Sequence, residues 1–141
     1  MMQAILVLGD FAERDSVTGK VHILGAGWSL TGPTPAPQSV ILFVKIPAER
    51  ASTPIPVRLR LLDDGGQVVT ITGAAGVQPL DITGQIELKE PDRLDPGSAD
   101  VDAVFSVNIA PLPLQPGTAY KWRADLDGEE AAVTEFRVRT A

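Results

Sequence analysis

The chain has 141 residues, 44% of them apolar, with 13 glycines, 12 prolines, no cysteine and a formal charge of −6. That length and apolar share suit one globular domain, residues 1–141, large enough to bury roughly two-thirds of its unfolded surface. Without cysteine there is no disulfide, no thiolate nucleophile and no Cys-ligated zinc, and an acidic chain (pI ≈ 4.6) repels the phosphates of nucleic acids and anionic membranes.

Residues 3–13 are the first predicted strand. Ile5 and Val7 lie on one face and Leu6 and Leu8 on the other, so both faces need cover. The leading apolar run meets Asp10 after about five residues, short of the ~7–15 of a signal-peptide core. No run approaches the ~20 apolar residues of a membrane span, and a soluble, cytoplasmic protein is expected. A polar turn ending at Gly19 leads into a second strand, residues 20–30, predicted to fold back on the first as a hairpin. Gly25-Ala26-Gly27 marks a bulge or a close backbone approach, and Trp28 is expected to plug one end of the core. Residues 31–37 carry Pro33, Pro35 and Pro37, which exclude a helix and predict a stiff surface crossing between sheets. Residues 39–46 follow as another strand that is apolar on both parities.

Residues 57–61 alternate, with Arg58 and Arg60 toward water. Asp63-Asp64-Gly65-Gly66 supplies a tight turn, residues 67–71 are expected to complete a hairpin, and residues 73–81 read as a loop. Residues 84–89 alternate again, and residues 91–99 form a polar connection. Residues 100–109 place Val101, Ala103, Phe105, Val107 and Ile109 on one face. In the last hairpin Tyr120, Trp122, Ala124 and Leu126 point one way, Asp127-Gly128 turns the chain, and Phe136 and Val138 return against that face. Leu114-x-Pro116-Gly117-x-x-Tyr120 matches the tyrosine-anchored turn before a penultimate strand of immunoglobulin-like sandwiches. No 3.6-residue period holds over ten residues. Eight or nine short strands, closely punctuated by turns, predict an all-β, two-sheet antiparallel β-sandwich, immunoglobulin-like or jelly-roll-like, with no substantial helix. A small barrel is the second architecture.

Several short motifs run through this frame. Asp10-Phe11-Ala12, Gly19-Lys20 and Ile23-Leu24-Gly25-Ala26-Gly27-Trp28 stand near the N-terminus, and Pro116-Gly117-x-x-Tyr120 and Asp127-Gly128 followed by Phe136-x-Val138 close the chain. Together they resemble an uncharacterised family of short bacterial, largely actinobacterial, proteins. The resemblance implies a β-sandwich and brings no known activity, so it transfers no catalytic residue.

Candidate chemistry is sparse. His22 is the sole histidine and, without cysteine or a second histidine, builds neither a zinc site nor a dyad. Ser16, Ser29 and Ser39 lack a nucleophile-elbow context. Asp10 interrupts an apolar strand; it is either a buried acid–base group or, the favoured reading, a carboxylate that accepts backbone or Lys20 hydrogen bonds and fixes the hairpin. Asp63–Gly66 and the stretch Asp125-x-Asp127-Gly128-Glu129-Glu130 lack calcium-loop spacing and suit turns instead. Asp92, Asp95, Asp100 and Asp102 read as a solvated acidic connection. Gly25-Ala26-Gly27 lacks the third glycine and the helix of a dinucleotide site.

No nucleophile, base and oxyanion set assembles, so no catalytic residue, cofactor or metal is expected. What stands out is surplus apolar surface. Strands 3–13 and 39–46 are apolar on both faces, whereas a two-layer sandwich buries one. The expectation is a non-catalytic structural or assembly module that self-associates or docks on a larger complex, through Ile5, Val7, Phe11, Ile41 and Phe43. A phage-type accessory protein decorating a capsid or tail is the fold-level analogy, with a virion location in that case. The alternative is a small-ligand or carbohydrate-binding sandwich that uses an exposed Trp28 or Trp122.

Overall fold

A computed structural model describes residues 2–88 and 100–140. Twelve strands run through these residues, and two sheets pack face to face as a β-sandwich. The smaller sheet has the order β1 (Gln3–Gly9), β5 (Gln38–Pro47), β10 (Asp100–Ile109). The larger has the order β4 (Leu30–Thr31), β12 (Glu129–Val138), β11 (Ala119–Leu126), β6 (Ile55–Leu62), β9 (Asp81–Ile86). Pairing is antiparallel except for β4, which runs parallel to the end of β12. Two short ribbons stand outside these sheets: β2 (Phe11–Arg14) with β3 (Val21–Leu24), and β7 (Thr70–Gly73) with β8 (Gly76–Pro79).

The core follows from strand alternation. Leu6 and Leu8 of β1 and Val40, Leu42, Val44 and Ile46 of β5 face Leu59 and Leu61 of β6, Trp122 of β11 and Phe136 of β12, all of them buried in one cluster. Each such side chain adds roughly 1.5–3 kcal/mol by leaving water. Two polar contacts fix the ends of this core. Trp122 Nε1 donates to Gln38 Oε1 at 3.0 Å inside the sandwich. Tyr120 Oη accepts from the Gln115 amide at 2.9 Å, closing the predicted tyrosine-anchored turn, in which Gly117 has φ +78°. Along one seam the ring of Phe105 lies over Gly84, where any Cβ would stand 2.8 Å from it. Any larger residue there would oblige the ring to move.

Three expectations are corrected. Residues 3–13 and 20–30 do not form one long hairpin: β1 pairs with β5, and only Phe11–Arg14 pairs with Val21–Leu24. The chain breaks at Asp10, whose amide donates to the Leu24 carbonyl at 2.9 Å, while the Gly27 amide donates to the Leu8 carbonyl at 2.8 Å. The long pairing loses because β5, apolar on both faces, gives β1 a deeper burial than a two-stranded ribbon can. Residues 67–71 return along β6 only briefly, through the Leu62–Val68 bridge and the Val69 amide donating to the Leu61 carbonyl at 2.8 Å; the strand that continues the sheet on that edge of β6 is Asp81–Ile86. The predicted loop at residues 73–81 contributes the second half of the β7–β8 ribbon. The connection at residues 91–99, with Asp92 and Asp95, lies outside the described residues.

Candidate functional site

The two sheets present opposite chemistries to water. On the outer face of the larger sheet, Arg58 holds Asp81 in a bidentate pair at 2.9 and 2.6 Å. Arg60 and Arg123 both donate to the buried carboxylate of Asp125, at 2.7 and 2.9 Å, and Arg123 also reaches Glu130 at 3.4 Å. The Arg58 hydrogen bonds hold the Asp81 carboxyl below its ordinary range. These charges satisfy one another across β9, β6, β11 and β12, which leaves a solvated, charge-laced wall.

The smaller sheet's outer face carries an apolar patch between polar margins. Register places Gln3, Lys45 and Asp102 in one row across β1, β5 and β10; Ile5, Phe43 and Val104 form the next, and Val7, Ile41 and Ser106 the third. The β2–β3 hairpin folds over the far end of this face. Asn108 Nδ2 donates to the Ala12 carbonyl at 2.8 Å, and Asn108 Oδ1 accepts from the Ala12 amide at 3.0 Å. Ile23 packs on Gly9 and buries Ile41 completely. The hairpin stops short of the Ile5 row. Ile5 is 62% exposed, Val7, Phe43 and Val104 are half-buried, and a shallow groove of about 400 Å³ runs along Ile5, Phe43 and Val104. Phe11 and Leu24 pair on the hairpin's outward side, both exposed.

Of the predicted contact residues, Ile5, Val7, Phe11 and Phe43 therefore face outward on one side of the sandwich. Ile41 is corrected: its own chain's hairpin covers it. Val104 and Leu24 were missed. The parity of residues 100–109 holds the signal for Val104, since it is the single large apolar side chain on the off face of that strand.

The remaining candidates scatter. His22 is exposed opposite Glu13 on the hairpin. Ser39 is buried and donates to the Val107 carbonyl at 3.3 Å, far from exposed Ser16 and Ser29 in sequence and surroundings. Asp63 Oδ1 accepts from the amides of Gly65 and Gln67, both at 2.9 Å, as turn chemistry predicts. Asp127, at φ +53°, and Gly128, at φ +81°, turn the last hairpin, and Arg50 clamps Asp127 at 2.8 and 2.6 Å, holding its carboxyl below the ordinary range. Asp102 pairs with Lys45 at 2.9 Å. Among the described residues no three His, Asp or Glu side chains come together as a ligand set.

Asp10 is exposed, not buried, and does not pin Lys20. The hairpin turn is instead held by Asp15, whose Oδ1 accepts from the amides of Val17 and Thr18 at 2.8 and 3.1 Å; these bonds lower its carboxyl's pKa. Asp10 lies against Gly25, where a Cβ would stand 2.1 Å from Oδ2 and φ is +64°. Trp28 meets Phe136 edge to face at 5.6 Å, and its Nε1 is buried without an acceptor. Trp122 is fully buried, which corrects the expectation that it offers a stacking surface. Trp28 is half-buried and, with Asp10, Gly25 and the proline segment 31–37, lines a cleft of about 300 Å³.

No helix of the described residues is long and apolar enough to cross a membrane. No curated protein and no solved structure matches this chain. A family model matches residues 4–139, nearly the full span, including both the N-terminal hairpin and the last one. The chain thus belongs to the family of unknown function DUF6941.

Proposed function

We propose that the protein is a non-catalytic assembly module, working as a homo-oligomer or as a component of a larger protein complex, and that the contact is the open Ile5 row with the hairpin beside it. One observation carries this reading: apolar surface left uncovered on one sheet while the other sheet carries a charged, ion-paired network. Of the seven large apolar side chains exposed among the described residues, four (Ile5, Phe11, Val17 and Leu24) belong to β1 and the β2–β3 hairpin. Exposed apolar surface gathered on one side is a mark of association. The flanking row supports a second copy as partner. Lys45 and Asp102 neutralise each other in the row beside the groove, so a second copy laid on this face meets no unpaired charge there. The same reading takes the source as bacterial, as the Asp10 to Trp28 motif implies, and the location as cytoplasmic, or on a virion if the gene is a phage's.

The test is native mass by sedimentation equilibrium against the 14.9 kDa of one chain. A dimer or higher species is expected, with Ile5→Lys shifting it to monomer and Val133→Lys, on the charged sheet, leaving it unchanged. A monomer at every concentration that also captures nothing from its own host's lysate would overturn the proposal.

A further inference from the structure

The cleft beside Trp28 lies at another place from the Ile5 row and rests on different observations. Three residues of the N-terminal motifs, Asp10, Gly25 and Trp28, are distant in sequence from the cleft's other wall, Leu112, Leu114 and Val138, yet all line one concavity of about 300 Å³. That volume is at the lower end of the range for small-molecule sites. Its walls mix apolar and polar groups: Pro33, Pro35 and Pro37 from the crossing segment stand with Leu30, Leu112 and Leu114, and Thr31 and Thr34 lie among them. Proline fixes this segment's backbone, so the wall is shaped before any ligand arrives.

Asp10 is the one charged residue among the described residues that line the cleft. Asp10 contributes a carboxylate that takes no hydrogen bond or ion pair from any described residue, and no Lys or Arg lines the cleft. The carboxylate stands where it does because position 25 has no Cβ; an alanine there would overlap Asp10 Oδ2. Gln38 is buried with its carbonyl oxygen committed to Trp122. Trp28 has its indole N–H buried, so what it offers the cleft is ring surface and not a donor. A neutral polyol could bond Thr31 and Thr34 but would leave the carboxylate's charge uncompensated, and an anion would meet that carboxylate on an acidic protein. An aromatic wall beside an unpaired carboxylate is instead the arrangement that attracts a cation with an apolar body.

We propose that this cleft binds a small organic cation, its ammonium or guanidinium group on Asp10 and its apolar part against Trp28 and the prolines.

The experiment is a fluorescence and calorimetric titration of the whole chain with benzylammonium, its neutral isostere benzyl alcohol, and glucose. Trp122 is fully buried and serves as a constant background, so a change in emission reports Trp28. Saturable binding of benzylammonium is expected, weaker by about tenfold for benzyl alcohol and for Asp10→Asn, since each deletes one member of the charged pair. Asp10 is exposed, and near-ultraviolet circular dichroism checks that the variant keeps its packing. Wild-type affinity for benzylammonium should also fall as salt rises, a readout that needs no variant. No saturable signal with benzylammonium, binding of glucose alone, or full affinity in Asp10→Asn would each overturn the proposal.

Discussion

At the scale of single residues, the acids of the two Asp-Gly turns, Asp63 and Asp127, are engaged in holding those turns and the loop beside them. Asp127 is the clearest case. It occupies a left-handed turn position and receives two hydrogen bonds from Arg50, whose remaining donors go to Thr53 and Pro54. A carboxyl held below its ordinary value of 3.8 adds stability at pH above that value. That stability is lost as pH falls through the lowered, folded-state value. Asp127→Asn tolerates the same backbone but cannot form the ion pair. We expect its thermal midpoint at pH 7 to fall by about 3 °C, a modest loss because the pair is about one-third exposed. The difference between variant and wild type should shrink in scans taken at pH values progressively below 3.8. Tyr120 makes a separate prediction: Tyr120→Phe keeps the ring stacked on Phe136 at 5.7 Å and removes only the acceptor for the Gln115 amide. The expected loss is about 1 kcal/mol in urea unfolding, with an unchanged m-value.

At the scale of elements, the β2–β3 hairpin is the part whose role was least legible. Its turn was readable, because Asp15, Thr18 and Gly19 are turn residues, and Gly19 takes φ +73°. Its extent was not. An apolar run such as Ala4 to Leu8 pairs with whichever neighbour buries both of its faces, and the winning neighbour, β5, lies some 30 residues downstream. Nor could sequence show that the hairpin would lie across the smaller sheet's outer face, since its side-chain hydrogen bonds to that sheet come from Asn108, more than 90 residues from Ala12. Asn108→Ala removes both bonds. We expect hydrogen-exchange protection of β2 and β3 to drop by about tenfold while β5 and β11 keep theirs, because the hairpin opens as a local unit. Equal loss throughout would mean that the hairpin unfolds only with the whole sandwich.

At the scale of the whole molecule, one sheet faces water with paired charge and the other with a half-covered apolar surface. This asymmetry gives a prediction that separates the two faces. Ile5→Lys should leave the unfolding free energy within about 0.5 kcal/mol, since Ile5 stands in water in the single chain, while abolishing association. The same substitution at Leu42, buried on the opposite face of the same sheet, should prevent folding. By itself the sequence determined that the chain is an all-β sandwich, which faces of strands β6 and β11 turn inward, and where the turns at Gly19, Asp63–Gly66 and Asp127-Gly128 fall. These are local matters of period two, proline and glycine. It also determined that β1 and β5 carry more apolar surface than a two-layer fold buries. Only the tertiary structure decided how that surplus is divided: Ile41 beneath the hairpin, Ile5 left outside, Trp122 inside the core and Trp28 on the wall of a cleft. Each of these outcomes depends on contacts between distant segments, and burial is a property of the surroundings a residue meets, which its neighbours in sequence do not specify.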